Sequence, residues 1–382
     1  MQYGAEWPEI GHDDLDVVPT RPRGRGWLPY RRLALGARPS AAPATMFLLT
    51  GAALGPNGLN VLSSSVITRS QALVWVGLAV TGIFVGLGLA SRSATPQRNL
   101  LIAASIAALA TIGIMTGGFY LLASLSALPL PGPVAAGSML VALCASVSAA
   151  VPTSTASSLE LLHASRLADI DDLPLLAGGV VVIAALTGEA AALRVLATVT
   201  AGAAIGVAGW LLFSRATDTE RGLFVTGAVL MLAGIGAYLG TSPLLCGGAA
   251  AVVWSRAPGS TARITAHDLR ALQHPLVALI LMFAGAAVDV TLVAVWAAAL
   301  ILVLRLTTKL LVSVVIGRLK GISASLLASI LLQPGVLGVA LALNAWLLLG
   351  DDYRWVLSAV SMATVASEAL ALFVPGVSEE TA

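Results

Sequence analysis

The segment at residues 149–158, AAVPTSTASS, decides how the rest of the chain folds, because it interrupts an apolar run that spans about 134–162. Pro152 lacks a backbone donor and clashes with the preceding turn, so a helix should break or kink there. Hydroxyl groups that can bind the freed backbone follow at once, on Thr153, Ser154, Thr155, Ser157 and Ser158. Because irregular backbone at membrane depth is tolerated only against protein or a watery cavity, the segment predicts a broken helix that lines a site.

A second interrupted segment lies much later, at residues 332–339, LQPGVLGV, with Pro334 and Gly335 at its centre. Two apolar segments broken by proline or glycine, one in each half of a chain, indicate the substrate site of a transporter. The alternative is that each proline only kinks a packed helix. We favour the paired break.

The composition is that of a membrane protein. The chain has 382 residues, of which 58% are hydrophobic and 10% charged, and its mean hydropathy is +0.92. No soluble domain of this length is so apolar, and apolar runs of about 20 residues without alternation favour helices over a barrel. We therefore predict an all-α polytopic membrane protein with about 12 transmembrane helices. The apolar runs span about 46–64, 71–90, 99–128, 133–162, 173–190, 195–214, 222–239, 241–254, 275–290, 292–316, 322–348 and 354–375.

Basic residues predict the orientation. With the amino terminus inside, the inner loops and the tail hold most of the arginines and lysines, whereas the outer loops hold only Arg69, Arg194 and Arg354. This positive-inside bias places both termini in the cytoplasm and the chain in the cell membrane as a multi-pass protein. We divide it into an Arg-rich, largely disordered cytoplasmic tail at 1–45, a transmembrane domain at 46–375 and a short cytoplasmic tail at 376–382. The tail arginines are expected to meet anionic lipid of the bilayer.

Motifs of soluble enzymes are absent from the sequence. It holds no Walker loop, dinucleotide-binding fingerprint, nucleophile elbow or HExxH motif, so we expect no enzyme, no catalytic residue and no cofactor. Cys144 and Cys246 both lie in apolar runs, and the four histidines do not cluster, so we expect no metal site. The tail arginines alone do not support nucleic-acid binding.

Seven motifs, in order, resemble those of the bacterial monovalent cation:proton antiporters, in the branch that includes the potassium-efflux antiporters. Together they extend over nearly all of the hydrophobic chain. They are TGAALGPNGL (50–59), WVGLAVTGIFVGLGL (75–89), VPTSTASSLELL (151–162), GTSPLLCGGAAAVVWS (240–255), PLVALILMFAGAAVDV (275–290), RLTTKLL (305–311) and LLQPGVLGVALAL (331–343).

The resemblance implies a fold, an activity and partners. The fold of that family is a bundle of inverted repeats with two crossed broken helices in a core domain and a panel domain that usually forms a homodimer. The activity is the exchange of a monovalent cation, Na⁺ or K⁺, for protons across the bilayer.

The acids on which exchange rests in that family are replaced here. Counted from the first broken segment, their positions fall on Val182 and Ile183, neither of which can hold a proton or an ion. Two further acidic positions fall on Gly88 and Val336. A gap in the alignment would bring Asp169, Asp171 and Asp172 into the site, but the helix would then lose half of its apolar length. We favour reading these aspartates as a solvated helix cap.

Lys309 occupies the position of the family's buried lysine, and Arg305 lies one turn away on the same face. Lys309 is nine residues from Arg318 at the inner surface, or roughly 13 Å deep. A cation there costs about 2.5–3.5 kcal/mol on insertion scales, so both residues need partners or a wet cavity. The alternative is that they snorkel to the interface. Glu160 is our first candidate counter-ion and Glu368 the second.

Three hypotheses of function remain open at this point. The first is cation–proton exchange with the acid relocated, for example to Glu160. The second is a site of inverted sign, in which Arg305, Lys309 and half-helix amino ends hold an anionic solute. The third is a membrane module that does not transport and instead binds a partner or senses lipid.

Overall fold

The computed structural model describes residues 42–92, 98–125, 133–148, 167, 174, 177–188, 190–213, 215–257, 261–320 and 322–373. Regular structure in these residues is helical, and they contain no strand. The helices are α1 (Ala42–Leu54), α2 (Ser64–Arg69), α3 (Gln71–Arg92), α4 (Arg98–Leu125), α5 (Val134–Ala145), α6 (Ala177–Leu186), α7 (Ala191–Phe213), α8 (Asp218–Tyr238), α9 (Pro243–Arg256), α10 (Thr261–Ala287), α11 (Leu292–Lys320), α12 (Ala324–Leu331), α13 (Val336–Leu349) and α14 (Arg354–Phe373).

Four helical stretches are long and apolar enough to cross a membrane: Ala104–Leu125, Ala191–Phe213, Glu220–Tyr238 and Leu292–Leu319. Several shorter apolar helices accompany them, among them α5, α6 and α13. The predicted all-helical, apolar architecture is therefore confirmed, while the count of about 12 spans stays a prediction. The predicted tail lies outside the described residues up to Ala41.

The first predicted run, 46–64, is interrupted after its first part. Helix α1 ends at Leu54, and a loop with Gly55 and Pro56 leads to the short helix α2. The loop closes on itself through backbone bonds from Gly58 and Asn60 to the Gly55 carbonyl, each 3.0 Å long. A proline directly after glycine cannot continue the hydrogen-bond ladder, which explains the early end of α1.

Helix α9 packs between α3 and α7, and small residues bring the backbones together. A Cβ on Gly82 of α3 would overlap the carbonyl oxygen of Leu244, and one on Gly247 of α9 would overlap that of Ala79. On the other side, Gly202 of α7 lies equally close to Cys246. Close backbone approach at small residues is the usual way in which membrane helices associate. Gly82, Gly202 and Gly247 therefore bring helices of the same chain together.

Helices α3, α7 and α9 form one layer. A second layer of helices packs around α5, α13 and α14. Leu143 of α5 and Leu341 of α13 contact the glycines at the start of α6, Gly178 and Gly179 respectively. Ile183 of α6 is 1% exposed in the same core. Helices α4, α11 and α12 meet next to it in a smaller apolar cluster. This layer holds the interrupted segments.

Candidate functional site at the crossing of two interrupted segments

The second interruption separates α12 from α13. Helix α12 ends at Leu331, and α13 begins at Val336, with Pro334 and Gly335 between them. Gly335 is extended, with φ −86° and ψ 140°. Pro334 has no N–H to donate to a continuing helix, so the chain leaves helical geometry here. Pro334 and Gly335 are buried, so the extended backbone lies inside the protein.

The first interruption begins before Pro152. Helix α5 ends at Ala145, and the hydroxyl of Ser146 donates back to the carbonyl of Ala142. Such a side-chain bond competes with the helical ladder near a helix end. The predicted break at Pro152 and the predicted site residues Thr153, Ser154, Thr155 and Glu160 lie outside the described residues.

The two interruptions meet. Ser148 and Pro334 form an antiparallel backbone bridge, and the Gly335 N–H donates to the carbonyl of Val147 at 3.2 Å. The Ser148 hydroxyl reaches the Leu331 carbonyl, also at 3.2 Å. A Cβ on Gly335 would lie 2.5 Å from the Ser148 carbonyl oxygen, so only glycine permits this approach. Backbone groups freed by one break are thus satisfied by the other.

Arg305 of α11 joins the two breaks with its guanidinium. Its Nη1 donates to the carbonyl of Ala145 at the end of α5, and Nη2 donates to the carbonyl of Gln333 at 3.1 Å, just beyond the end of α12. Carbonyls at a helix carboxyl end carry partial negative charge, which a cation stabilises. Arg305 is only 4% exposed. The site therefore contains a fixed cation of the protein itself.

Lys309 lies one turn further along α11 and is fully buried. The alternative that Lys309 and Arg305 snorkel to a surface is wrong, because neither side chain is exposed. Sequence reasoning ranked Lys309 above Arg305, yet the described contacts place Arg305 at the crossing. A planar fork of five donors can serve two separate carbonyls, which the single ammonium of lysine serves less well.

Glu368, the second candidate counter-ion of Lys309, binds Thr45. Its carboxylate accepts hydrogen bonds from the backbone N–H of Thr45, at 3.0 Å, and from the Thr45 hydroxyl. Glu368 is 7% exposed. Its hydrogen bonds to Thr45 link α14 to the beginning of α1. Hydrogen-bond donors near a helix amino end stabilise a carboxylate, which accounts for this contact. The pairing of Glu368 with Lys309 stays a prediction.

Val182 and Ile183, the positions on which the acids implied by the resemblance would fall, lie on α6. Ile183 lines a small cavity of about 10 Å³ together with Thr198, Thr241 and Ser242. Since a buried water needs roughly 10–15 Å³, the cavity has about the size of one water molecule. The aliphatic side chain of Ile183 thus shares this cavity with residues that carry hydroxyl groups.

Asn344 of α13 is a polar residue at this place that sequence reasoning missed. It is fully buried, and its Nδ2 donates to the Ser242 hydroxyl at 3.0 Å. Among the described residues, its Oδ1 has no hydrogen-bond partner. The signal was available, because Asn344 is the one polar side chain in the apolar run 336–349, and such residues inside a membrane segment mark functional or structural contacts.

The arrangement brings two helix breaks together next to the buried cations Arg305 and Lys309. It has no described carboxylate at the crossing that would exchange a proton for a cation. Neither the models of known protein families nor the curated proteins match this chain, so a family assignment does not follow from them.

Proposed function

We propose that the chain is a secondary-active transport protein of the cell membrane, with several spans, both termini in the cytoplasm and the inverted-repeat antiporter fold. The single observation that carries the proposal is the backbone bridge between Ser148 and Pro334. Irregular backbone inside an apolar bundle is costly, and crossed interruptions recur where transporters bind their substrates. The homodimer that the resemblance implies belongs to the same proposal.

The packing of the helices supports a mechanism for the movement that transport would require. Parts of α3, α7, α8 and α9 form one apolar cluster, and a larger cluster contains α5, α13 and α14 together with parts of α1, α3, α9 and α10. The Asn344–Ser242 hydrogen bond is a polar contact between α13 and the start of α9. In the proposed mechanism the two layers shift against each other around the crossing, which exposes it to one side of the membrane and then to the other.

Cation–proton exchange is the activity that the resemblance implies. It requires a carboxylate that holds either a proton or a cation. Ile183 cannot supply one, and Glu368 is bound to Thr45. Glu160 therefore stays as the candidate acid, next to the first interruption in the sequence. The exchanged ions would be Na⁺ or K⁺ against H⁺.

A second candidate function is the transport of an anionic solute. The observation that favours it is the burial of two cationic residues, Arg305 and Lys309, one turn apart on α11. Helix α13 also begins at the crossing, at Val336, and the amino end of a helix attracts anions. Aliphatic Ile183 in place of an acid removes a negative charge that would repel an anion.

Flux measurements in proteoliposomes separate the two candidates. Proton movement driven by a Na⁺ or K⁺ gradient, and lost in Glu160→Gln but kept in Glu368→Gln, supports exchange with a relocated acid. Uptake of chloride, phosphate or lactate, lost in Lys309→Met, supports the anion carrier. Arg318→Met is the matched control, because Arg318 is an exposed residue near the end of the same helix.

Three outcomes of these flux measurements would contradict the candidate functions. Cation-driven proton flux that survives in Glu160→Gln would contradict the relocated acid. Anion uptake equally reduced in Lys309→Met and Arg318→Met would contradict a specific site on α11. The absence of flux for every cation and anion would overturn transport altogether and leave the third hypothesis, a membrane module that does not transport.

A further inference from the structure

A second cavity lies among α2, α3, α10 and the end of α13. Its volume is about 200 Å³. Apolar side chains form most of its wall, including Val74, Phe283, Leu343 and Leu347. Val74, Phe283 and Leu343 are buried, so this part of the wall belongs to the packed core. We call this space the α13 cleft.

One end of the α13 cleft is polar. Thr68, Gln71 and Asp351 line it, and Asp351 is the one charged residue among its lining residues. The Asp351 Oδ1 accepts a hydrogen bond from the indole Nε1 of Trp346 at 3.1 Å. Among the described contacts, Oδ2 makes no hydrogen bond. The indole thus orients the carboxylate and leaves one oxygen for a ligand.

Two arginines lie near this end of the cleft in the sequence, Arg354 and Arg69, and neither is among its lining residues. Arg354 lies over the Trp346 ring, 6.0 Å from its centroid, and its Nε donates to the Ala287 carbonyl at 2.9 Å. It is therefore held outside the cleft lining. Arg69 is exposed and adjacent to Thr68 in sequence, but it does not line the cleft either.

We infer that the α13 cleft binds a small organic cation, with its ammonium group against Asp351 and its apolar body against Val74, Phe283 and Leu343. A carboxylate attracts an ammonium group, and the aromatic walls of Trp346 and Phe283 favour a cation that keeps apolar substituents. An anion would meet the carboxylate and is disfavoured. Since an apolar cavity of about 150 Å³ accepts benzene, the cleft has room for a single ring with a headgroup.

This inference goes beyond transport at the crossing and does not depend on it. The cleft shares no lining residue with the crossing or with the cavity at Ile183. Binding at the cleft can therefore be measured whether or not the protein moves an ion.

The test uses the purified full chain in detergent and the probe phenyltrimethylammonium, followed by tryptophan fluorescence and calorimetry. Benzenesulfonate carries the same ring with the opposite charge, and benzyl alcohol carries no charge. We expect saturable binding of phenyltrimethylammonium alone. Because the chain has eight tryptophans, the Trp346→Phe variant shows whether the fluorescence change comes from the cleft.

Two aspartate variants form the matched pair. Asp351→Asn keeps an oxygen that can accept from Trp346 and removes the charge, so the affinity should fall about fivefold, the upper range for an exposed charge pair. Asp352→Asn removes a neighbouring exposed charge that does not line the cleft and should leave the affinity unchanged.

Three results would overturn the inference. Equal weakening in both aspartate variants would show a general charge effect. Equal affinity for phenyltrimethylammonium and benzyl alcohol would show an apolar cavity without selection for a cation, such as one that takes a lipid or detergent tail. Binding that does not saturate would show partition into the micelle.

Discussion

Ser148 and Pro334 pair backbone to backbone in an antiparallel bridge, although they belong to opposite halves of the chain. The carbonyls of Ala145 and Gln333, on either side of this bridge, both accept from the guanidinium of Arg305. Each break leaves backbone groups without a helical partner, which would be costly if the breaks were apart. These groups are satisfied by the other break and by one arginine. The predictions below test this arrangement and the contacts around it.

Arg305→Lys should lower stability although it keeps the positive charge. A lysine ammonium cannot hold two carbonyls in the fork geometry of arginine, and a bond from a charged group contributes about 1.5–3 kcal/mol. We expect a loss of about 3 kcal/mol, measured by unfolding in detergent. Arg318→Lys, on the exposed part of the same helix, is the control and should be neutral. Equal stability of both variants would contradict the role of Arg305.

Gly82→Ala should destabilise the contact between α3 and α9. The new Cβ would overlap the Leu244 carbonyl oxygen, and backbone cannot move aside as a flexible side chain can. Overpacking of this kind costs about 1–3 kcal/mol. Gly227→Ala is the matched control, because nothing lies within 4 Å of a Cβ at that helical glycine. It should be neutral or stabilising by up to about 1 kcal/mol, since alanine favours the helix. The same loss in both variants would show that helix propensity, and not close packing, sets the result.

Asn344 and Ser242 should be energetically coupled. Ser242→Ala removes the acceptor for the Asn344 amide and for the Leu245 N–H, and it should cost about 1–3 kcal/mol. Asn344→Leu removes an amide that is only partly hydrogen-bonded and should change stability by less than about 1 kcal/mol. The double variant should be less destabilised than the sum of the single variants, by about 0.6 kcal/mol or more. Strict additivity of the two changes would argue against the contact.

Thr45→Val should weaken the link between α1 and α14. Valine has nearly the shape of threonine but cannot donate to the Glu368 carboxylate, and a hydrogen bond between membrane helices contributes about 1 kcal/mol. Thr116→Val is the control, because the Thr116 hydroxyl is buried without a hydrogen-bond partner in the described part of the chain. The control should be neutral or stabilising. If the control were destabilised more than Thr45→Val, the Thr45–Glu368 bond would not explain the loss.

Local chemistry made several elements predictable. The run 71–90 became α3, Gln71–Arg92, and the run 354–375 became α14, Arg354–Phe373, because long runs with no proline before their last residue form helices in a predictable way. The interruption between α12 and α13 lies at Pro334, where the proline removes a backbone donor and glycine follows it. Pro275, by contrast, lies inside the continuous helix α10, so a proline alone does not decide where a helix ends.

Contacts between distant residues were not predictable in the same way. The early end of α5 at Ala145 depends on the Ser148–Pro334 bridge, and the role of Arg305 depends on where that bridge lies. Trp254 near the end of α9 is fully buried, and its indole donates to the Gly206 carbonyl on α7 at 2.8 Å. Periodicity does not indicate which helix will cover a given face.

The bridge at the crossing has a consequence for how such a scaffold diversifies. Main-chain groups of the residues around Ser148 and Pro334 make the bridge itself, and Gly335 is the position where an added side chain would disturb it. Substitutions at side chains that line the small cavity instead, such as Ile183, can therefore change the local chemistry while the bridge is kept. The backbone arrangement and the chemistry of the side chains can change separately in a protein built this way.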